Sequence, residues 1–353
     1  MASAAVLACG ACNGPATPVP PGYPAAYAKT IEQATAGRDL VIWSAIDRDK
    51  SRDLLNDFRR LYPGVRVSYV ELSGSTLYER FVAGARSGAR TADFLWSSAM
   101  DLQIKLVNDG YTQPYVSPER SALPPWGNWK DQAWGTTAEP IVFVYNRTLI
   151  ADAAVPRDHS ALTKALESPG SSLAGKVATY DLPRSAVGYL YLSQDQQATH
   201  DAWRLIRAMK LDSAHVFASA EGVLRDVAAG NSAIGYNIVG SYALAEITRN
   251  RDLGLVMPRD YTLVMSRIAV IPAAARHPDA ARLFLDFLLS RRGQARLAEQ
   301  DMPPVRSDVP GPPQLHPAGA PLRAIRVGPA LLVDRDQLTR AYVLRRWRAA
   351  LAR

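Results

Sequence analysis

Cysteine is nearly missing from this chain: 353 residues hold two, Cys9 and Cys12, both near the amino terminus. Everything after them is without a disulfide, a thiol nucleophile or a cysteine-ligated metal. Long apolar runs are missing too, since nothing beyond residue 30 approaches the roughly 18 consecutive apolar residues of a membrane-spanning helix. The five histidines, His159, His200, His215, His277 and His316, include no pair spaced to share a metal on one helix face. Neither a Gly-x-Ser-x-Gly elbow nor a Gly-x-x-x-x-Gly-Lys phosphate loop occurs. These absences point away from a hydrolase, a nucleotide-driven machine or a metalloenzyme, and the expectation is a protein that is not an enzyme and needs no cofactor.

A basic body is also lacking. The formal charge is +8, but eight arginines and two aspartates in residues 322–353 supply +6 and leave +2 for all that precedes them. A duplex binder needs cations arrayed along a face that tracks phosphates, so nucleic acid is not an expected partner.

What is present describes an ordinary globular protein, 48% hydrophobic and 21% charged. At roughly 100 to 200 residues per domain the length predicts about two domains. No side chain before Lys29 is charged, and the small apolar run Ala2–Cys12 is followed by Pro15, Pro18, Pro20, Pro21 and Pro24. Residues 1–37 therefore read as the remnant of an export signal and a linker. Val6-Leu-Ala-Cys9 and Gly10-Ala-Cys12 resemble lipoprotein cleavage boxes, which adds a lipid anchor through an N-terminal cysteine to the expected export.

From Asp39 short apolar runs alternate with helical periodicity. Leu40–Trp43 reads as a buried strand; Leu54, Leu55, Phe58 and Leu61 share a helix face that Pro63-Gly64 ends; Val65–Val70 is the next strand. A helix over about 76–85 leads to the strand Asp93–Trp96 and a helix carrying Leu102 and Leu106. Ile141–Tyr145 opens a second series, with strands at Lys176–Tyr180 and Ala233–Asn237 and a helix after Ser219 that stops at Gly230. Thr262–Ile271 reads as one strand feeding the helix Pro278–Ser290. The alternation predicts an α/β protein of two similar lobes, each a mainly parallel sheet flanked by helices.

The order of these fragments carries a family resemblance. Asp39-Leu-Val-Ile-Trp-Ser44, Tyr62-Pro-Gly-Val-Arg-Val67, Ala92-Asp-Phe-Leu-Trp-Ser-Ser98, Asn108-Asp-Gly-Tyr111 and Thr137-Ala-Glu-Pro-Ile-Val-Phe-Val-Tyr-Asn146 are followed by Ile234-Gly-Tyr-Asn237, Gly240-Ser-Tyr242, the His277–Ser290 helix and Gly293-Gln294. Over about residues 39–308 the chain resembles type II periplasmic solute-binding proteins of ABC importers, on the branch of ferric-ion and organophosphate binders. The resemblance implies a two-lobed periplasmic-binding-protein fold hinged by crossing strands, a monomer that closes on a small ligand, and membrane permease subunits as partners. It maps lobe one onto residues 38–140 and 257–302, lobe two onto 141–256, and residues 303–353 onto helices packed against lobe two. It leaves open an iron importer's binding protein or a periplasmic ligand-sensing partner of a signalling system.

Ferric binders of the branch use two adjacent tyrosines, a hard anionic oxygen pair suited to Fe(III). At the matching place this chain reads Val239-Gly-Ser-Tyr242, with one phenol and no adjacent pair. Hydroxyls instead gather at expected helix starts: Ser75 and Thr76, Ser97 and Ser98, and Ser185 beside Arg184. Helix N-termini favour anions, although Ser and Thr also cap helices that bind nothing. Arg267 lies inside an apolar strand, where a guanidinium needs a partner; Glu139, Asp260 or a ligand phosphate or carboxylate would each serve. Asp47, Glu139 and Asp260 near strand ends can accept from ligand hydroxyls or orient the arginines, and Tyr242 can stack or donate. Together these groups suit a small anionic solute, a phosphoester or an organic acid.

Overall fold

A computed structural model describes residues 18–37, 39–211, 215–316, 319 and 321–351. Cys9, Cys12 and the expected cleavage boxes lie outside the described residues. The strands, in chain order, are β1 (Asp39–Ser44), β2 (Arg66–Glu71), β3 (Phe94–Ser97), β4 (Asn128–Trp129), β5 (Ala133–Gly135), β6 (Glu139–Asn146), β7 (Val177–Tyr180), β8 (Val216–Phe217), β9 (Ile234–Val239), β10 (Leu253–Val256), β11 (Thr262–Met265), β12 (Ile268–Val270) and β13 (Leu322–Ala324). The α-helices are α1 (Tyr27–Gly37), α2 (Arg48–Leu61), α3 (Gly74–Ser87), α4 (Met100–Asn108), α5 (His159–Glu167), α6 (Ala186–Ala198), α7 (Ala202–Ala208), α8 (Ala220–Ala228), α9 (Gly240–Arg249), α10 (Pro278–Leu289), α11 (Arg291–Ala298) and α12 (Gln337–Leu351). No helix among the described residues is long and apolar enough to cross a membrane.

Two sheets organise these elements. The first runs β2-β1-β3-β12-β5-β4, and the second β13-β11-β6-β9-β7-β8 with β10 also on β6. Both are mixed rather than mainly parallel: β2, β1 and β3 are parallel, whereas β12, β5 and β4 join by antiparallel pairing. In the second sheet β9 and β8 run parallel to β7, while β6 opposes β9, β10 and β11. The reason is that the chain passes directly from one sheet into the other, entering its neighbour next to a strand of opposite direction.

Those passages form the hinge. One runs from β5 through Thr136–Ala138 into β6, and the other from β11 through Ser266–Arg267 into β12. The stretch Thr262–Ile271 is thus two strands in two sheets, and the return to lobe one falls at Ser266–Arg267 instead of residue 257. The crossings are stitched together: Thr136 N and Oγ1 donate to the Arg267 carbonyl at 2.9 and 2.8 Å, and Arg267 N donates to Thr137 Oγ1 at 3.0 Å. A continuous core spans this hinge, joining Leu95, Met100 and Ile268 to Ile141, Val142, Ile238 and Met265. Each lobe also has its own core, around Phe58, Phe94 and Phe284 in the first and Phe143, Leu162 and Trp203 in the second.

The two ends of the described chain are tied down. Residues 27–37, expected as linker, form α1, because Tyr27, Ile31 and Ala34 make one apolar face at helical spacing that packs beside α10. Tyr27 Oη donates to the buried Asp286 carboxylate at 2.6 Å. At the other end Val343, Trp347 and Ala350 of α12 enter the second lobe's core. Just before α12, the 3₁₀ segment Pro329–Arg335 reaches the first lobe, where Arg335 Nη1 meets Asp101 Oδ2 of α4 at 3.0 Å.

Candidate functional site

A cleft of about 760 Å³ opens between the lobes at the hinge. Asp47, Ser75, Ser98, Arg184, Ser185, Tyr242 and Arg267 all line it, although they come from both halves of the chain. Local structure explains how they converge. Asp47 follows β1 and occupies the N-cap position of α2 without a side-chain cap bond, so its carboxylate is left to meet the Tyr242 hydroxyl. Ser73 caps α3 by accepting from Thr76 N, which leaves Ser75 in the first turn facing the cleft. A Cβ at Gly74 would come within 2.9 Å of Ala99 Cβ, so glycine there lets α3 abut the loop after β3 and brings Ser75 beside Ser98. In the second lobe the Asp181 carbonyl accepts from Arg184 N and Ser185 N at 3.0 and 2.8 Å, and Ser185 Oγ caps α6 at Gly188 N. Gly188 permits α6 to press on Tyr180, whose Cβ would lie 2.3 Å from an added Cβ.

The floor is built around Arg267, 1% exposed, and Glu139, fully enclosed. Arg267 Nε and Nη2 donate to the two Glu139 oxygens at 2.6 and 3.1 Å. Thr137 Oγ1 at 2.9 Å and the Ser241 hydroxyl also donate to that carboxylate. Burial would raise the Glu139 pKa, but the guanidinium and these donors hold it below its usual value. Burial alone would lower the Arg267 pKa, and Glu139 outweighs it and holds Arg267 charged. Glu139 takes two arms of the fork and the Tyr242 hydroxyl also bears on the guanidinium, while Nη1 has no well-aligned acceptor among the described residues. Above lies the Tyr242 ring, 5.5 Å from the Arg267 guanidinium carbon and 5.4 Å from Lys50 Nζ. Burial pushes the Tyr242 phenol up, with Arg267 opposing, so Tyr242 is a neutral donor near neutral pH.

Four expected positions lie elsewhere. Asp260 precedes β11, at the end of that strand away from the crossing, and accepts from His159 N at 3.1 Å with the His159 ring 2.9 Å away. It is not the partner of Arg267. Glu139 sits beneath the floor as a counter-ion and does not line the cleft. Ser97 is buried, with its hydroxyl accepting from Ala99 N, and Thr76 accepts from Ser73 Oγ at the surface. Trp96 and Trp134 belong to the first lobe's core.

Lys50 and Tyr180 are among the lining residues that the sequence did not single out. Lys50, in the first turn of α2, reaches across to the Ser241 and Gln300 carbonyls at 3.4 and 3.2 Å. Burial, reinforced by Arg267, lowers its pKa. Tyr180 ends β7, is 1% exposed, and has a phenol without a hydrogen-bond partner among the described residues. Its signal was its place at the carboxyl end of a strand, where open α/β sheets hold ligands. No cluster of three or more His, Cys, Asp or Glu side chains among the described residues could hold a metal ion.

Two α/β lobes joined by crossing strands around a cleft are the architecture of periplasmic binding proteins. A family model for bacterial extracellular solute-binding proteins matches residues 53–320, and the chain belongs to that family. Among solved structures, the substrate binding protein of an ABC transporter from Agrobacterium tumefaciens is 37% identical, with TM-score 0.81 over 89% of this chain and 94% of that one. AfuA from Actinobacillus pleuropneumoniae, with fructose-6-phosphate bound, is 19% identical with TM-score 0.74 over 86% and 97%. Iron-bound HitA from Pseudomonas aeruginosa is 17% identical with TM-score 0.71 over 88% and 99%. A comparison with curated proteins finds no match.

Proposed function

We propose that this protein is the periplasmic substrate-binding component of an ABC importer, that it captures a small anionic solute between its lobes, and that it delivers the solute to a membrane permease. The side chains assembled here favour a phosphoester or an organic acid. The observation that carries the anion is the open arm of Arg267: an enclosed guanidinium with two nitrogens on Glu139 and a third that has no well-aligned acceptor among the described residues. An oxyanion on the floor would complete that fork. Lys50 adds a second cation, and Tyr180, Tyr242, Ser75, Ser98 and Ser185 add hydroxyls for the rest of the solute. Because the lining comes from both lobes, such a solute binds the closed state better and shifts the population toward it.

Relatives of the same fold hold fructose-6-phosphate or iron. Tyr180 does supply a second phenol beside Tyr242. A ferric ion would need both phenols deprotonated, yet burial raises both, and Arg267 and Lys50 repel a cation.

Thermal unfolding of ligand-free protein against phosphate monoesters, di- and tricarboxylates, and Fe(III) with citrate tests the reading. A solute at a hundred times its Kd adds about 2.7 kcal/mol and raises the midpoint by several degrees. A shift with an anionic solute supports the proposal. A shift with iron alone, with a phenolate charge-transfer band, replaces it by an iron carrier that uses Tyr180 and Tyr242.

A further inference from the structure

The cleft and the chamber beside it differ in the balance of their lining charges. Within the cleft, five lysine and arginine side chains face five aspartate and glutamate side chains, so the lining is balanced. A smaller chamber of about 220 Å³ adjoins it, and Ser75, Arg184 and Ala186 stand in the walls of both. The remaining walls of this annexe include Tyr78 and Glu79 of α3 and, from the tail, Arg335 and Arg340. Three guanidiniums there face a single lining carboxylate.

None of the three is fully engaged. Arg184 is 68% exposed and comes no closer to Asp181 than 3.9 Å. Arg340 has no ion pair among the described residues and is held by its stacking on Tyr189, 4.8 Å from the ring centre. Arg335 gives Nη1 to Asp101, while its buried Nε has no acceptor among the described residues. Asp101, Glu79 and the more distant Asp181 balance the three charges, so what marks the annexe is the unfilled arms of the forks. Planar forks with open arms, converging on a space that continues the ligand cleft, suit a phosphate or a carboxylate.

We propose that the annexe receives a second oxyanion group of the bound solute. The preferred solute then carries two anionic groups, one on the floor at Arg267 and one among Arg184, Arg335 and Arg340. The inference rests on reading the cleft as an anion site. It also gives the tail a role in recognition, because α3 of the first lobe, the 182–186 loop of the second and the C-terminal segment all touch the annexe.

Calorimetric titration of the full chain tests this with matched probes: a hexose bisphosphate against the hexose monophosphate, a dicarboxylate against a monocarboxylate of equal length, and inorganic phosphate. In whichever pair binds, the two-headed member should bind at least about tenfold tighter, roughly 1.4 kcal/mol. Arg340→Gln should bring the two affinities together, and Glu79→Gln, which removes the opposing charge, should widen the gap. Equal affinity within a binding pair overturns the proposal and leaves the cleft reading intact. Equal weakening of both members by Arg340→Gln does the same. Inorganic phosphate binding that survives Arg267→Lys and is lost in Arg340→Gln shows a free-anion site and overturns the two-headed solute. If no anion binds, the cleft reading falls and this inference with it.

Discussion

The floor and the mouth of the cleft both present arginine, under opposite physical conditions. Arg267 is sealed in the hinge with its charge matched by Glu139, whereas Arg184 projects from a turn with most of its surface in water. A charge enclosed in protein requires a partner and fixed geometry, so the floor is built before any solute arrives. A charge at the mouth is screened by solvent and salt and acts more weakly for that reason. For the proposed anionic solute the contrast gives the floor a preformed, salt-insensitive grip and the mouth a salt-sensitive one.

The most severe way to break the contrast is to remove the floor cation. Arg267→Ala leaves Glu139 enclosed and unpaired and should cost about 3–5 kcal/mol of stability, read by denaturant unfolding, together with solute binding. An Ala variant as stable as the parent would show that the pair does not hold the hinge. Arg267→Lys keeps the charge and loses the fork, and should weaken an anionic solute by about 1–3 kcal/mol in calorimetry. Arg184→Ala at the mouth should change stability by no more than about 0.5 kcal/mol and cut affinity less than Arg267→Lys does. Raising the salt concentration should shrink the Arg184 effect and spare that of Arg267; equal salt dependence would erase the distinction.

Lys50 sharpens the comparison through pH. Its folded pKa lies below the ordinary lysine value, so between the two the unfolded chain binds more protons than the native one. Stability should therefore rise with pH through that window, while affinity for an anion falls as Lys50 loses its charge. Lys50→Met should flatten both trends; profiles identical to the parent's would remove Lys50 from the floor.

Much of the architecture was legible because it is local. The apolar runs at Leu40–Trp43 and Ile141–Tyr145 are strands, and Ser185 and Ser219 cap α6 and α8. Errors arose where direction or partner mattered. Asp260 stands near a strand end, but at the start of β11, so it faces His159 and not the cleft. The tract Thr262–Ile271 reads as one strand by its apolar content, and although its polar pair Ser266-Arg267 falls at the crossing, that pair alone does not say that two sheets share the tract.

The sequence by itself determined the alternating elements, their caps and the family, because hydrophobic periodicity and capping act over a few residues. Only the tertiary structure decided that Arg267 takes Glu139 over Asp260, that its third nitrogen stays open, and that Lys50 and Tyr180 join the floor. Arg267 and Glu139 are 128 positions apart. Which distant carboxylate meets a buried guanidinium depends on where two sheets cross, and that is set by how the cores of both lobes pack.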